Sequence, residues 1–507
     1  MYFDGAHIEP AGNPVPMTPG LHHPPRSSVH VRAASAVALT LVGILSAFRP
    51  HMAAAADELA PQTGASAAPT RIAQAAPGAV GDSNGVSAAD PAAGAPEASD
   101  WSLHLQATGV YQGNLRFTSP YQGPNSLDPG NRWRETVTTT AFLGRRLWDG
   151  AELYFNPEFD QGFGLSKTVG LAGFSNGEAQ KAGANTPKFN VARLFLRQTF
   201  DLGGEPEQLP DDLNQIAGPH TMSRLTVTAG KFSVTDIFDD NKYAHDPRTT
   251  FLNWAIWEAG AFDYPADQKG FTDGVAVELN RPAWAARAGF FLEPKRSNDR
   301  NLDTDVLKRG GLVTELELRH GLVAGQQGKV KILGWINRAY AGGFRDTLDL
   351  DTTDITATRK DRLKYGFVLN VEQPLADDFG MFSRLSWNDG RSELMSFTDI
   401  DASLSLGASL KGVRWGRPDD VVALGAAVNR LSNAQRDFTA AGGLGILIGD
   451  GRLSYASEGV VEAYYSLALL PESAAALSVD YQFIANPAYN SDRGPVSIFA
   501  ARLHTQF

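Results

Sequence analysis

AELYFNPEFD (151–160) sets Leu153, Phe155 and Phe159 on one side of an extended chain and Glu152, Tyr154, Asn156, Glu158 and Asp160 on the other. A soluble sandwich strand also alternates, but it does not fill a whole face with ionisable and amide groups. A closed barrel in a bilayer does, because its apolar face meets lipid and its polar face meets a water-filled interior. The same period of two recurs in LHLQATGVY (103–111), YGFVLNVEQ (365–373) and ALSVDYQF (476–483).

Working outward from that stretch, the pattern predicts strands at 101–112, 134–146, 150–160, 190–201, 223–232, 272–280, 283–292, 311–320, 328–339, 361–373, 378–388, 399–411, 419–430, 460–470, 475–484 and 496–507. That is sixteen, an even number. The connections alternate in length: 21, 29, 39, 18, 21, 10, 29 and 11 residues on one side, and 3, 21, 2, 7, 4, 7 and 4 on the other. Only 202–222 breaks the parity. Long loops at one end and short turns at the other predict an all-β, 16-stranded antiparallel transmembrane barrel with periplasmic turns, and place 161–189, 340–360 and 431–459 at the cell exterior. A two-sheet Greek key has no reason to alternate in this way.

Tryptophan placement agrees. Trp101, Trp133, Trp148, Trp284, Trp387 and Trp415 fall at or beside predicted strand ends, where an aromatic girdle meets lipid head groups. The closing strand keeps phase to its end, with Phe499, Leu503 and Phe507 on one face and Arg502, His504 and Gln506 on the other.

The chain of 507 residues has Lys+Arg 45, Asp+Glu 56 and no Cys. An acidic balance argues against nucleic-acid partners, and without thiols neither Cys-ligated metal nor redox chemistry is indicated, so no cofactor is expected. AASAVALTLVGILSAF (33–48) follows Arg26 and Arg32 and precedes Ala54 and Ala56, an A-x-A pair. At 16 residues it is short for a spanning helix, so 1–56 reads as a secretory signal peptide, with Met17 as an alternative start. Residues 57–100 hold 14 Ala, 5 Pro and 5 Gly with no aromatic, a composition that predicts a disordered periplasmic linker ahead of a barrel domain at 101–507.

With the apolar face toward lipid, the lumen receives Glu152, Tyr154, Glu158 and Asp160 beside Arg193, Phe195 and Arg197, and further along Glu278, Arg287, Glu315, Glu317, Lys331, Trp335, Arg384, Asp401, Glu462 and Asp480. Neither sign dominates. Such a wall suits neutral sugars, whose hydroxyls bond to Arg and carboxylate groups while their C–H faces stack on aromatics. The plainer use of these charges is cross-strand pairing that stiffens the wall.

Residues 233–271 are too long for a simple surface loop, and eight of the 39 are aromatic. Burying them calls for an inward fold of this third loop into the lumen, narrowing the pore. Tyr243, Phe251, Trp254 and Trp257 share it with Lys242, Arg248, Asp239 and Asp240, which makes Trp254, Trp257, Tyr243 and Arg248 the candidate sugar contacts, joined by Arg193, Arg197, Glu152, Tyr154, Glu158 and Trp335 on the wall.

FTSPYQGPNSL (117–127), RLWDGAELYFNPE (146–158), GLSKTVGLAGFSNGEAQK (164–181), TAGKFSVTDIFDDNKYAHDPRTTFLNW (228–254), DYPAD (263–267) and YQFIANPAYNSDRGPVSIFAARLHTQF (481–507) together resemble the carbohydrate-selective outer-membrane porins of the OprB type. The resemblance runs from about Trp101 to Phe507 and implies a sixteen-stranded barrel in the Gram-negative outer membrane that passes small sugars passively. Outer-membrane lipids and the barrel-assembly machinery are the other partners it implies, and a homo-oligomer is compatible with it. A general diffusion pore without a sugar site is the nearest alternative. A barrel enzyme is a more distant one, for which His104 and His504 on the neighbouring first and last strands would be the bases, although two such histidines read more simply as wall residues.

Overall fold

The computed structural model describes residues 99–507, so the expected signal peptide (1–56) and all but the last two residues of the expected linker (57–100) lie outside the described residues. Eighteen strands follow in chain order: β1 (Trp101–Asn114), β2 (Arg132–Trp148), β3 (Ala151–Gly162), β4 (Ala184–Asp201), β5 (Pro206–Leu209), β6 (Gly218–Thr221), β7 (Arg224–Phe232), β8 (Thr272–Arg281), β9 (Trp284–Phe291), β10 (Gly310–Val323), β11 (Gln326–Ala341), β12 (Lys360–Ala376), β13 (Phe379–Asn388), β14 (Ala402–Gly412), β15 (Arg417–Arg430), β16 (Glu458–Ala468), β17 (Ala475–Ala485) and β18 (Val496–Gln506). All but β5 and β6 form one closed antiparallel barrel, sixteen strands in which each pairs with its neighbour and β1 meets β18 from Gln106↔Gln506 to Asn114↔Ile498. Closure leaves no strand edge with unpaired backbone groups in the hydrocarbon.

The barrel is inside out relative to a water-soluble protein. On β3, Leu153, Phe155 and Phe159 are 38%, 36% and 49% exposed, whereas Tyr154, Asn156 and Glu158 are fully enclosed. Each apolar side chain on the outer face gains nothing by turning inward, because hydrocarbon already covers it. Trp101, Trp133, Trp148, Trp387 and Trp415 stand exposed near strand ends, as a girdle requires.

Several strands outrun their predicted bounds, the longest extension being at the loop end of β4. β4 begins at Ala184, not at 190, and pairs Lys188 with Asp160 and Ala184 with Gly162. Above the lipid both faces of a strand meet water, so the alternation that marks it in the sequence fades while its hydrogen-bonded ladder continues.

At the turn end 149–150, 282–283, 324–325 and 377–378 are tight. Gly150 shows why: its φ is +70°, and a Cβ there would stand 2.1 Å from the Thr199 carbonyl oxygen. The exception is 202–223, which carries the small β5–β6 hairpin. At the loop end the second connection departs from the picture of a surface loop, since 170–179 is buried almost without interruption. Its backbone is pinned inside the mouth, with the Ala172 N–H donating to Glu458 at 3.0 Å and the Gly177 N–H to the Leu252 carbonyl at 2.9 Å. A surface tag therefore belongs in the exposed stretch 349–354 of the fifth loop. It is expected to be labelled on intact cells, and a tag at 377–378 only after the outer membrane is opened; the reverse pattern would invert the barrel.

Candidate functional site

The third loop, 233–271, does fold into the lumen, and the wall holds it by its backbone. An irregular segment in the lumen has no strand partner for its amides, so side chains must supply one. Carboxylates of the wall accept from the loop: Glu315 from the Asp239 N–H at 2.9 Å, Glu372 from Lys242 at 2.8 Å, and Glu462 from Leu252 at 2.5 Å and Asn253 at 2.9 Å. Wall cations donate to its carbonyls. Arg384 reaches those of Asp239 (3.0 Å), Ala244 (2.7 Å) and Ile256 (3.2 Å), Arg502 those of Pro247 (2.7 Å) and Thr250 (2.6 Å), and Lys331 that of Asp240. Asp239 itself is enclosed, and its carboxylate accepts from Arg384 (3.1 Å), Asn370 (2.7 Å) and the Ala259 N–H (2.9 Å).

Aromatic packing seals the same side. Trp254 stacks on Phe397 at 4.8 Å and meets Trp257 and Phe174 edge-on at 4.7 and 5.2 Å, while Phe251 packs on Phe382 and Tyr464. The loop lies close enough to β15 that a Cβ on Gly425 would stand 2.9 Å from both Ile256 and Phe251. The half of the lumen that faces β10–β18 is thereby filled.

The other half stays open. A cavity of about 400 Å³ runs between the loop and β2–β4 and β7–β9, from Lys181, Lys269 and Phe271 at the loop end to Arg197, Thr226 and Leu209 at the turn end. Its charges are mostly paired across the gap. Arg193 from β4 grips Asp236 from the loop through two bonds of 2.7 and 2.5 Å, Arg248 lies 3.3 Å from Glu178 and 3.4 Å from Glu158, and Lys269 closes on Asp160. Burial alone would raise the Asp236 carboxyl, but the Arg193 guanidinium overrides it and holds Asp236 below the usual carboxylate range. Burial opposes the charge on Arg248 as well, and Glu178, Asp246 and Glu158 more than restore it. Glu258 is the reverse case: burial, reinforced by the Asp239 charge, keeps its carboxyl well above the usual range.

Arg197 differs from the other lane-lining cations. It lies 5.0 Å over Tyr154 and 5.4 Å over Phe195 and donates to the Asn214 carbonyl at 2.8 Å, but it has no carboxylate ion pair among the described residues. Six residues that line the lane also carry a buried atom without a hydrogen-bond partner among the described residues: Gln106 Oε1, Gln180 Oε1, His220 Nδ1, His245 Nδ1, Trp257 Nε1 and Glu258 Oε1.

Of the candidate contacts, Trp257, Arg248, Arg193, Arg197 and Glu152 line the lane. Tyr154 is enclosed behind them, donating to Glu152 at 2.6 Å and stacking on Phe195, and Glu158 is an enclosed anchor for Arg248 and Lys181. The expectation of a stacking face at Trp254 and Trp335 is corrected: both are at most 4% exposed, their rings occupied by Phe397 and Phe262 respectively, because the loop uses its apolar mass first to seal itself against the wall. Tyr243 is half-buried, set against Gly380 at the foot of the loop and away from the lane. Phe271, Asp236 and Glu258 join the lining without having been singled out; the S-x-x-D spacing of Ser233 and Asp236, a capping box in the structure, was the available signal for the second of these. Of the two histidines, His504 bonds to Thr108 at 2.8 Å and His104 lies 3.4 Å from Asp211. GFSNG (173–177) has the spacing of a nucleophile elbow, yet the Ser175 hydroxyl donates to Gln112 at 2.9 Å and the segment is a loop, not a strand-to-helix turn.

The pairing has an electrical consequence. Arg197→Gln is expected to move the reversal potential of a planar bilayer toward cations at every pH, since no neighbour compensates the lost charge. Arg193→Gln leaves Asp236 to burial, which raises its carboxyl, so this variant's shift should be small in acid and grow as rising pH ionises Asp236. Equal, pH-independent shifts from the two would mean that Asp236 is not the partner that matters.

A closed sixteen-strand barrel whose lumen is half filled by an internal loop is the architecture of an outer-membrane porin. The sequence pattern of the carbohydrate-selective porin, OprB family, matches residues 125–507, and the chain belongs to that family: a sugar diffusion channel of the Gram-negative outer membrane. Among solved structures, the high-pH form of Pseudomonas putida OprB is similar at 15% identity and TM-score 0.62, over 80% of this chain and 94% of that one. The outer-membrane channel DcaP of Acinetobacter baumannii aligns at 10% identity and TM-score 0.45, over 80% and 97%. No curated protein sequence matches significantly.

Proposed function

We propose that sugars cross in the lane beside the third loop, with ring faces against Trp257 and hydroxyls on the Arg193–Asp236 and Arg248–Glu178 pairs. The observation that carries this is the set of unsatisfied atoms along the lane, Trp257 Nε1 and Glu258 Oε1 among them, set between charges that are mostly matched. A paired guanidinium and carboxylate present donors and acceptors without a net field, so a polyol gains hydrogen bonds there while a simple ion gains little. Burial and the neighbouring Asp239 charge push the Glu258 carboxyl upward, toward the form that donates as well as accepts. Export through the leader at 1–56, with 57–100 as a periplasmic spacer, completes the proposal.

The test combines liposome swelling with single-channel recording. Glucose and short oligosaccharides should enter faster than amino acids of similar mass and should interrupt the ion current in a concentration-dependent way. If sugars do neither, the chain is a general diffusion pore and the loop only narrows it.

A further inference from the structure

The turn end of a porin-like barrel needs no more than tight reversals, and 202–223 is the one connection there that is far longer. Its β5 and β6 pair from Pro206↔Thr221 to Leu209↔Gly218, and its base is tied down by Arg224 donating to Glu207 at 2.7 Å and by the Thr221 N–H donating to Asp201 at 2.9 Å. The tip does not hang in the periplasm. It turns back into the barrel, where the Asn214 side chain accepts from Asn156 at 2.9 Å and its carbonyl from Arg197 at 2.8 Å, the Ala217 carbonyl accepts from Arg146 at 3.2 Å, and Ile216 is 1% exposed in the cluster that holds Tyr154 and Phe195. These anchors come from β2, β3 and β4, and His104 of β1 lies 3.4 Å from Asp211. Asn156 is the sixth residue of β3, which at about 3.3 Å per residue puts the tip roughly 16 Å along the strand from its turn. Leu213, Asn214 and Gln215 line the same lane that opens at Lys181 and Phe271.

We propose that the β5–β6 hairpin is a second constriction, in series with the third loop, that sets the size of solute able to leave the lane for the periplasm. The inference is independent of any preference for sugars. Three strands hold the tip by side-chain hydrogen bonds to its backbone and to Asn214, and an apolar residue is driven into the wall beside them, so the tip is a fixed collar. Free hairpins in water do not bury an isoleucine against the inside of a channel.

Because Leu209 pairs with Gly218, replacing Pro210–Ala217 by two glycines leaves a hairpin of ordinary length with no tip. Heat-modifiable migration reports whether the barrel folds. Single-channel conductance should rise about twofold, since removing one of two comparable resistances in series halves the total, and the cutoff in swelling assays should move to longer oligosaccharides. The chain has no cysteine, so Gln215→Cys provides a second probe on an otherwise intact protein. A bulky methanethiosulfonate reagent added from the turn side should lower its current and leave the wild-type current unchanged. An unchanged conductance and cutoff in the shortened barrel, or a Gln215→Cys channel that is modified without loss of current, would overturn the proposal.

Discussion

Arg384→Met should give a barrel that still folds but conducts noisily and more strongly, with its preference among solutes lost. The guanidinium holds three carbonyls of the third loop and the enclosed Asp239 carboxylate. Methionine keeps the bulk and supplies none of these bonds, which leaves a buried charge without its cation; breaking such a pair from one side costs about 3–5 kcal/mol. The strand ladder does not depend on that contact, so the loss falls on the seating of the loop. Single-channel traces should show a raised mean current with rapid excursions, and protease added to the folded barrel should cut within 233–271. A quiet channel of wild-type conductance would mean that the aromatic cluster around Trp254 suffices to keep the loop in place.

The second large effect separates two tryptophans that stand three residues apart. Trp257 borders the lane, so Trp257→Ala should weaken sugar block by roughly 2- to 12-fold, the equivalent of about 0.5–1.5 kcal/mol for one aromatic contact, while the ion current changes little. Trp254 is enclosed and does not line the lane. Its removal empties the space among Phe174, Phe397 and Tyr264, and a large-to-small change in such a core costs about 3–5 kcal/mol. Trp254→Ala should therefore lower the temperature at which the folded form collapses on a gel and should loosen the loop, as Arg384→Met does. If Trp254→Ala reduced sugar block without any change in noise or heat stability, the ring would have to face the lane after all.

These two residues also mark where the sequence stops being legible. All sixteen barrel strands could be read because period two is imposed along every one by lipid outside and water inside, and the inward fold of 233–271 followed from its length and its eight aromatics. An irregular loop has no period. Nothing in NWAIW tells which tryptophan faces the wall and which the lane, and only the one-turn helix at Trp254–Trp257 decides it. The wall charges were legible as lumen-facing, but not the partners they take. Glu315, Arg384 and Glu462 look like solute contacts on a strand diagram, and in the folded chain they satisfy amides and carbonyls brought in from residues far away in sequence. The connection at 202–222 announced itself by breaking the parity of the turns, yet an odd length says nothing of direction, and its inward turn depends on Ile216 finding Tyr154 and Phe195.

The distribution of those backbone bonds around the circumference has a wider meaning. Glu315, Lys331, Glu372, Arg384, Glu462 and Arg502 stand on β10, β11, β12, β13, β16 and β18, and each is committed to the loop. Drift at any of them would unseat the element that narrows the pore, whatever solute the pore carries. The arc formed by β2–β4 and β7–β9 instead meets the loop's side chains, Arg193 with Asp236, Glu158 with Arg248 and Asp160 with Lys269, and its β2–β4 part also holds the hairpin tip. The circumference is thus divided into an arc that binds main chain, indifferent to which side chains the loop carries, and an arc that binds side chains, so a change of diet for the cell that carries this channel would call for matched substitutions on the second arc and on the loop together.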